Sequence, residues 1–211
     1  MAVTAQWYPQ GFGAFANAGV DWDTDTIKLA LMGTGYTFND THDFWDDISA
    51  NDYGSSTGYT AGGSTIANRA ITETDSSALT ARANTTAYVI GDLVRTATDS
   101  TRVFLAVVAG TSAGSEPGGM ATLGSLREIT DGSVVWVNVG RAVTILDGDP
   151  VSWTGLDQDG TLAAVIWKDT GTPGTSPLLG AIHFGATETP TDLTVTPPAG
   201  GYLLIPSGAA L

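Results

Sequence analysis

The residues able to do chemistry in this chain are its carboxylates, two histidines and six tryptophans. Asp21, Asp23 and Asp25 alternate; in an extended segment every second side chain points the same way, so the three would crowd one side and repel unless a hard cation such as calcium bridged them. In an irregular, solvated segment they are three independent surface acids, and the terminal glutamate of an EF-hand is missing at this spacing. His42 lies among Asp40, Asp43, Asp46 and Asp47, and His183 lies in the apolar run Ala181-Ile-His-Phe. Zinc would need both imidazoles and a carboxylate gathered from distant segments. Local hydrogen bonding for His42 and an outer strand face for His183 are the simpler expectations.

No Gly-x-Ser-x-Gly elbow follows an apolar strand, and the glycine-rich run 58–63 has no lysine and no helical pattern after it, so neither a serine hydrolase nor a phosphate-binding loop is supported. Acids are plentiful enough to pair by chance, which makes glycosidase chemistry a weak signal. The expectation is a non-catalytic protein without a cofactor, calcium at Asp21, Asp23 and Asp25 being the one metal alternative.

Several tryptophans, among Trp22, Trp45, Trp136, Trp153 and Trp167, are embedded in apolar stretches where core packing is the default. Trp7 and Tyr8, followed by Pro9, differ: in an N-terminal arm they would expose apolar area whose burial against a neighbour is worth a few kcal/mol at ~25 cal/mol per Å². With Phe12 and Phe15 they form the expected intersubunit contact.

The elements that must position these residues read as short strands. Residues 26–32 alternate, with Ile27, Leu29 and Leu31 on one face and Lys28 opposite, the period of a half-buried strand. Residues 166–185 are two apolar runs joined by a Thr/Gly/Pro/Ser loop, a hairpin with a long connection. Around Phe44, Trp45 and Ile48 a helical turn capped by Thr41 fits better than a strand, a short helix or irregular arm is expected over 11–20, and 66–74 returns as a strand. Asp131-Gly132 marks a tight turn, and 143–146, 151–153, 162–167, 193–196 and 202–205 read as further strands, the last two separated by the Pro/Gly run 197–201. Short strands with Gly/Pro punctuation predict an all-β protein, a sandwich or jelly-roll-like main domain. A composition shift sets off a small β module at 81–140, inserted between main-domain segments 1–80 and 141–211.

Size and charge bound the partners. A chain of 211 residues can bury a sizeable core, and without cysteine its stability comes from packing, hydrogen bonds and association. Net charge is −14, from 22 acidic and 8 basic residues, so phosphate backbones are repelled and nucleic acid is not an expected partner. The first residues lack the pattern of a cleaved export signal and no apolar run reaches the ~18 residues of a membrane span, so no membrane partner is expected. Only 14% of residues are charged while 27 are glycine, a hydroxyl-rich, flat composition suited to broad contacts with neighbouring subunits.

Four segments carry a resemblance: DTDTIKLAL at 23–31, DTHDFWDDI at 40–48, GYTAGG at 58–63, and IWKDTGT at 166–172 continuing to PLLG at 177–180. They resemble a family of tailed-bacteriophage virion structural proteins, which implies a virion location after synthesis in the host cytoplasm. Capsid decoration, as a cement protein touching several coat subunits, is the first expectation, with a homo-oligomer such as a trimer at a threefold position; a tail, neck or fibre component is the alternative. Residues 81–140 are similar to small phage tail and fibre modules, some related to carbohydrate-binding modules of chitinases, through Tyr88-x-x-Gly91-Asp92-x-Val94, Glu116-Pro117 and Asp131-Gly132-x-x-x-Trp136. The tryptophans of those modules ahead of the tyrosine and after Glu-Pro are absent here, leaving Tyr88 and Trp136 as the glycan contacts the resemblance implies.

Overall fold

The structure is a computed structural model that describes residues 4–98, 100–157, 160–188, 191–198 and 200–206. It is an all-β, sandwich-like protein of antiparallel sheets with a single α-helix among the described residues, α1 (Pro9–Ala16). In chain order the strands are β1 (Thr4–Trp7), β2 (Ile27–Met32), β3 (Ser64–Thr65), β4 (Ala70–Asp75), β5 (Ala87–Tyr88), β6 (Leu93–Arg95), β7 (Val103–Val108), β8 (Gly110–Thr111), β9 (Glu128–Asp131), β10 (Val134–Gly140), β11 (Ala142–Asp147), β12 (Val151–Thr154), β13 (Thr161–Lys168), β14 (Leu178–Glu188), β15 (Asp192–Val195) and β16 (Leu203–Pro206).

The chain divides into two compact units, one of residues 1–69 and 148–196, the other of 70–147 and 197–211. The composition shifts at 81 and 140 therefore fall inside the second unit. The reason is β11: it pairs with β4 on one side and β16 on the other, which draws both neighbours into its own sheet.

In the first unit the sheet order is β1-β14-β13-β2-β3. The central strand β13 reads Thr-Leu-Ala-Ala-Val-Ile-Trp-Lys, and Ala163 through Ile166 are wholly buried, the near-continuous apolar run of a strand covered on both faces. Strand β2 departs from the half-buried expectation for the same reason: Ala30 and Met32, on the face of Lys28, are as buried as Leu29 and Leu31. Tyr8, Trp45 and Ile48 cover that face, in one core with Val165, Trp167 and Leu178. Helix α1 lies on β14 through Gly11, where a Cβ would come within 2.2 Å of the Leu178 carbonyl oxygen. Gly63 fits the edge beside β2 for two reasons, a φ of +80° and a Cβ position 2.0 Å from the Leu29 oxygen. The expected strand over 66–74 is broken between β3 and β4, where Asn68 takes a positive φ of 46°.

The second unit holds the sheets β6-β7-β10-β9 and β16-β11-β4. Asp131 and Val134 pair across a two-residue loop, Gly132-Ser133, whose glycine has φ +66°; the tight turn marked by Asp131-Gly132 is present, with Asp131 closing the strand and glycine as the first loop residue. Its core gathers Val94, Phe104, Ala106, Met120, Val134 and Trp136. Beside that core Arg82 donates from Nε to Asp131 Oδ2 (2.8 Å) and from Nη2 to Asp131 Oδ1 (2.7 Å), and Trp136 Nε1 donates to Oδ2 at 3.0 Å. Ala199, in the expected 197–201 turn, lies outside the described residues.

Candidate functional site

The pairing of β2 with β13 sets Lys28 opposite Trp167, and Asp169 follows directly on the strand end. Lys28 Nζ reaches Asp169 Oδ2 at 2.7 Å and sits 5.5 Å from the centre of the Trp167 ring, so one ammonium serves an ion pair and an indole face. Its hydrogen bond is the leading cause that holds the Asp169 carboxyl below its ordinary range. On Trp167 lies Trp45, parallel within 10° at 4.3 Å.

Trp45 opens a 3-10 turn, Trp45–Asp47, followed by a second, Ser49–Asn51. Helical turns were expected here; the cap was not Thr41. Thr41 donates to Asn39 Oδ1, while Asp47 Oδ2 accepts from the backbone N–H of Asp43 (2.9 Å) and Phe44 (3.2 Å). Those two bonds hold Asp47 ionised below its ordinary range, and partial desolvation together with the hydrogen bond to Asp47 raises Asp43. The turn is tied to the β13–β14 connection by Trp45 N–H to the Ser176 carbonyl and Leu178 N–H to the Asp43 carbonyl, both 2.9 Å.

The glycine-rich loop closes the site. Trp167 Nε1 donates to the Gly62 carbonyl at 3.1 Å, Gly62 N–H donates to Asp52 Oδ2 at 2.7 Å, and the Tyr59 hydroxyl donates to Asp52 Oδ1 at 2.6 Å while accepting from Leu31 N–H. Burial, reinforced by the Asp52 charge, pushes the Tyr59 phenol far above its ordinary range, so it stays a donor. Between these walls and residues 171–173 is an open cleft of about 310 Å³.

The other anticipated sites come out differently. Tyr8 is wholly buried and shares a 2.6 Å hydrogen bond with the Tyr36 hydroxyl, so it belongs to its own unit's core and is no intersubunit contact. Trp7, half-buried, meets Phe12 and Phe15 edge-on at 5.8 and 5.7 Å, with Phe12 left 47% exposed. The anticipated arm is thus a strand and helix folded on β14, with an aromatic patch outside.

Trp136 is 0% exposed and bonded to Asp131, so no sugar ring can stack on it, whereas Tyr88 is half-buried against Trp136 and its hydroxyl accepts from Ala83 N–H. The segment 21–25 is a turn, not a strand: Asp21 Oδ1 accepts from the N–H of Asp23 and Thr24, and Asp25 Oδ2 accepts from Asp21 N–H and pairs with Lys168 at 2.7 Å. The cation in that loop is Arg69, whose guanidinium donates to the carbonyls of Trp22 (2.7 Å), Asp23 (3.2 Å), Asp25 (2.6 Å) and Ile66. The three carboxylates expected to hold calcium therefore do not gather in one place: those of Asp21 and Asp25 are engaged by backbone N–H groups and Lys168, while Arg69 takes the loop's backbone carbonyls. Among the described residues no three His, Asp or Glu side chains gather as metal ligands. His183 stacks on Tyr36 at 6.1 Å and meets Phe38 edge-on at 5.9 Å instead, and desolvation lowers its pKa.

The cleft itself was not legible beforehand. Its lining comes from segments up to 148 positions apart (Lys28 to Ser176), which no local sequence pattern joins. No protein-family model matches the chain, no curated protein matches it, and no solved structure matches it. No described helix is long and apolar enough to cross a membrane.

Proposed function

We propose that this protein is a non-catalytic structural component of a tailed-bacteriophage particle, decorating the capsid as a cement protein that contacts several coat subunits. The observation that carries the reading is convergence: the four segments resembling the virion family, far apart in sequence, interlock around the Trp45–Trp167 stack and the β2–β13 pairing. A second support is the N-terminal patch. Residues 1–20 contain no charged side chain in a chain of net charge −14, and Trp7, Phe12 and Phe15 lie there together, the composition of an apolar contact rather than of a solvated surface.

The test is co-sedimentation of the purified protein with empty heads and, separately, with tails of the phage that encodes it. Saturable binding to heads, lost on Phe12→Asp, is the expected result. Binding to tails alone would replace decoration with a tail or neck role, and binding to neither would remove the virion reading.

A further inference from the structure

Strand β4 is a free edge of the sheet β16-β11-β4. It pairs with β11 along all six of its residues without a register shift, and just beyond it the Ser76 N–H donates to the Arg141 carbonyl at 3.1 Å. That bond fixes the phase of the ladder: Ala70, Thr72 and Thr74 turn their backbone groups toward β11, while Ile71, Glu73 and Asp75 turn theirs outward. Among the described residues nothing bonds to those outward N–H and C=O groups. The other edge strands are four residues long or shorter, β16 ends on Pro206, and β6 is flanked by Thr80 and Arg82, which bond to the backbone of Arg95. Strand β4 has six residues, no proline, glycine or lysine, and every residue but Thr74 exposed. Of the devices that blunt an edge against an added strand, it keeps only charge, in Glu73 and Asp75.

Those two acids decide which strand the edge accepts. Side-chain alternation puts Ile71, Glu73 and Asp75 on one face and Thr72 and Thr74 on the other, beside Ile145. On the first face Glu73 has no ion pair among the described residues, Asp75 gives Oδ1 to Ser77 and Ala78 and keeps Oδ2, and no basic residue occurs from 70 to 81. On the second face Thr74 and Ile145 line an open cleft of about 480 Å³, walled further by Leu79 and Leu93. A second copy of β4 centred on the first would set Glu73 opposite Glu73, where like charges oppose pairing. A strand with lysine or arginine at every second position instead pairs its cations with Glu73 and Asp75, lays their methylene stems along the exposed Ile71, and turns its apolar side chains toward Leu79, Leu93 and Ile145. We infer that the outer edge of β4 is a docking site for an extended segment of a partner protein with basic residues at alternate positions, which adds to this three-stranded sheet as a further strand. The inference is separate from the virion reading, since it uses none of the residues of the N-terminal patch.

The experiment is display selection of random linear peptides on the full chain, followed by titration of the selected peptides, synthesised, into the ¹⁵N-labelled protein. Selected peptides should alternate basic and apolar residues, and each should give saturable shifts and slowed hydrogen exchange at the Ile71, Glu73 and Asp75 amides. Glu73→Gln should weaken binding about threefold, the worth of one cross-strand ion pair. Glu73→Pro should abolish it and leave the fold intact, because the N–H it removes points away from β11. The site is overturned if no peptide is selected, if the selected peptides lack alternate basic residues, if the shifts map elsewhere, or if both variants bind like the parent. Self-association of the parent chain that Glu73→Pro abolishes would overturn it as well, by giving the edge to a second copy.

Discussion

Arg82 and Asp131 face each other through two parallel hydrogen bonds, 2.8 and 2.7 Å long, with side chains 1% and 0% exposed. Further polar groups meet both members of the pair. Ala113 N–H and Trp136 Nε1 donate to the carboxylate, and the guanidinium also donates to Asn84 and to the Ala113 and Ser115 carbonyls. This ion pair thus ties the turn after Asp131 to the start of the middle segment and to Trp136.

Removing one partner strands the other charge in the interior. Asp131→Ala and Arg82→Met are each expected to cost about 3–5 kcal/mol, read as a lowered denaturant midpoint with loss of the Trp136 near-ultraviolet signal. The double variant should cost less than the sum, because no charge is then left unpaired; strict additivity would show that the pair is not coupled.

Acid should destabilise the fold in two stages. The His183 pKa is lowered by desolvation, so the neutral ring is preferred in the native state; this contribution is whole above the unfolded value of ~6.5 and is lost as pH falls from there toward the folded value. Asp131, Asp169 and Asp25 are depressed by their cationic partners, against the opposing effect of burial. Their contribution is whole above the unfolded value of ~3.9 and disappears as pH drops through their folded values. Melting temperature against pH should therefore fall first below ~6.5 and again below ~4. His183→Gln should flatten the first fall alone.

Arg69 acts as the internal cation of the 21–25 loop. Arg69→Lys should be destabilising by ~1.5–3 kcal/mol, since an ammonium cannot reach four carbonyls in the guanidinium's plane. Hydrogen exchange should speed up at Asp23, Thr24 and Asp25. Calcium or a chelator should leave the melting temperature of the parent chain unchanged; a calcium-dependent rise would restore a metal to the loop.

Gly63→Ala should be poorly tolerated, because the backbone conformation alone costs an L-residue ~1–2 kcal/mol and the new methyl would overlap the Leu29 carbonyl. Phe12→Ser, by contrast, should change stability by no more than ~0.5 kcal/mol, its ring being 47% exposed. Chemical denaturation of both variants checks the contrast between a packed and an outward-facing position.

The chain alone determined its strands wherever the apolar period was local. The hairpin of β13 and β14, the Asp131-Gly132 turn, the strand from Ile27 and the all-β class were all readable, because side-chain alternation and turn chemistry act over a few residues. Tertiary structure alone decided what each face meets. Nothing near Tyr8 announces Tyr36 as its partner, nothing near Asp25 announces Arg69, and no local pattern places Trp45 on Trp167. Each of those contacts joins residues dozens of positions apart, so burial, the fate of a charge and the walls of a cleft are properties of the packed chain, set only when distant strands compete for the same core.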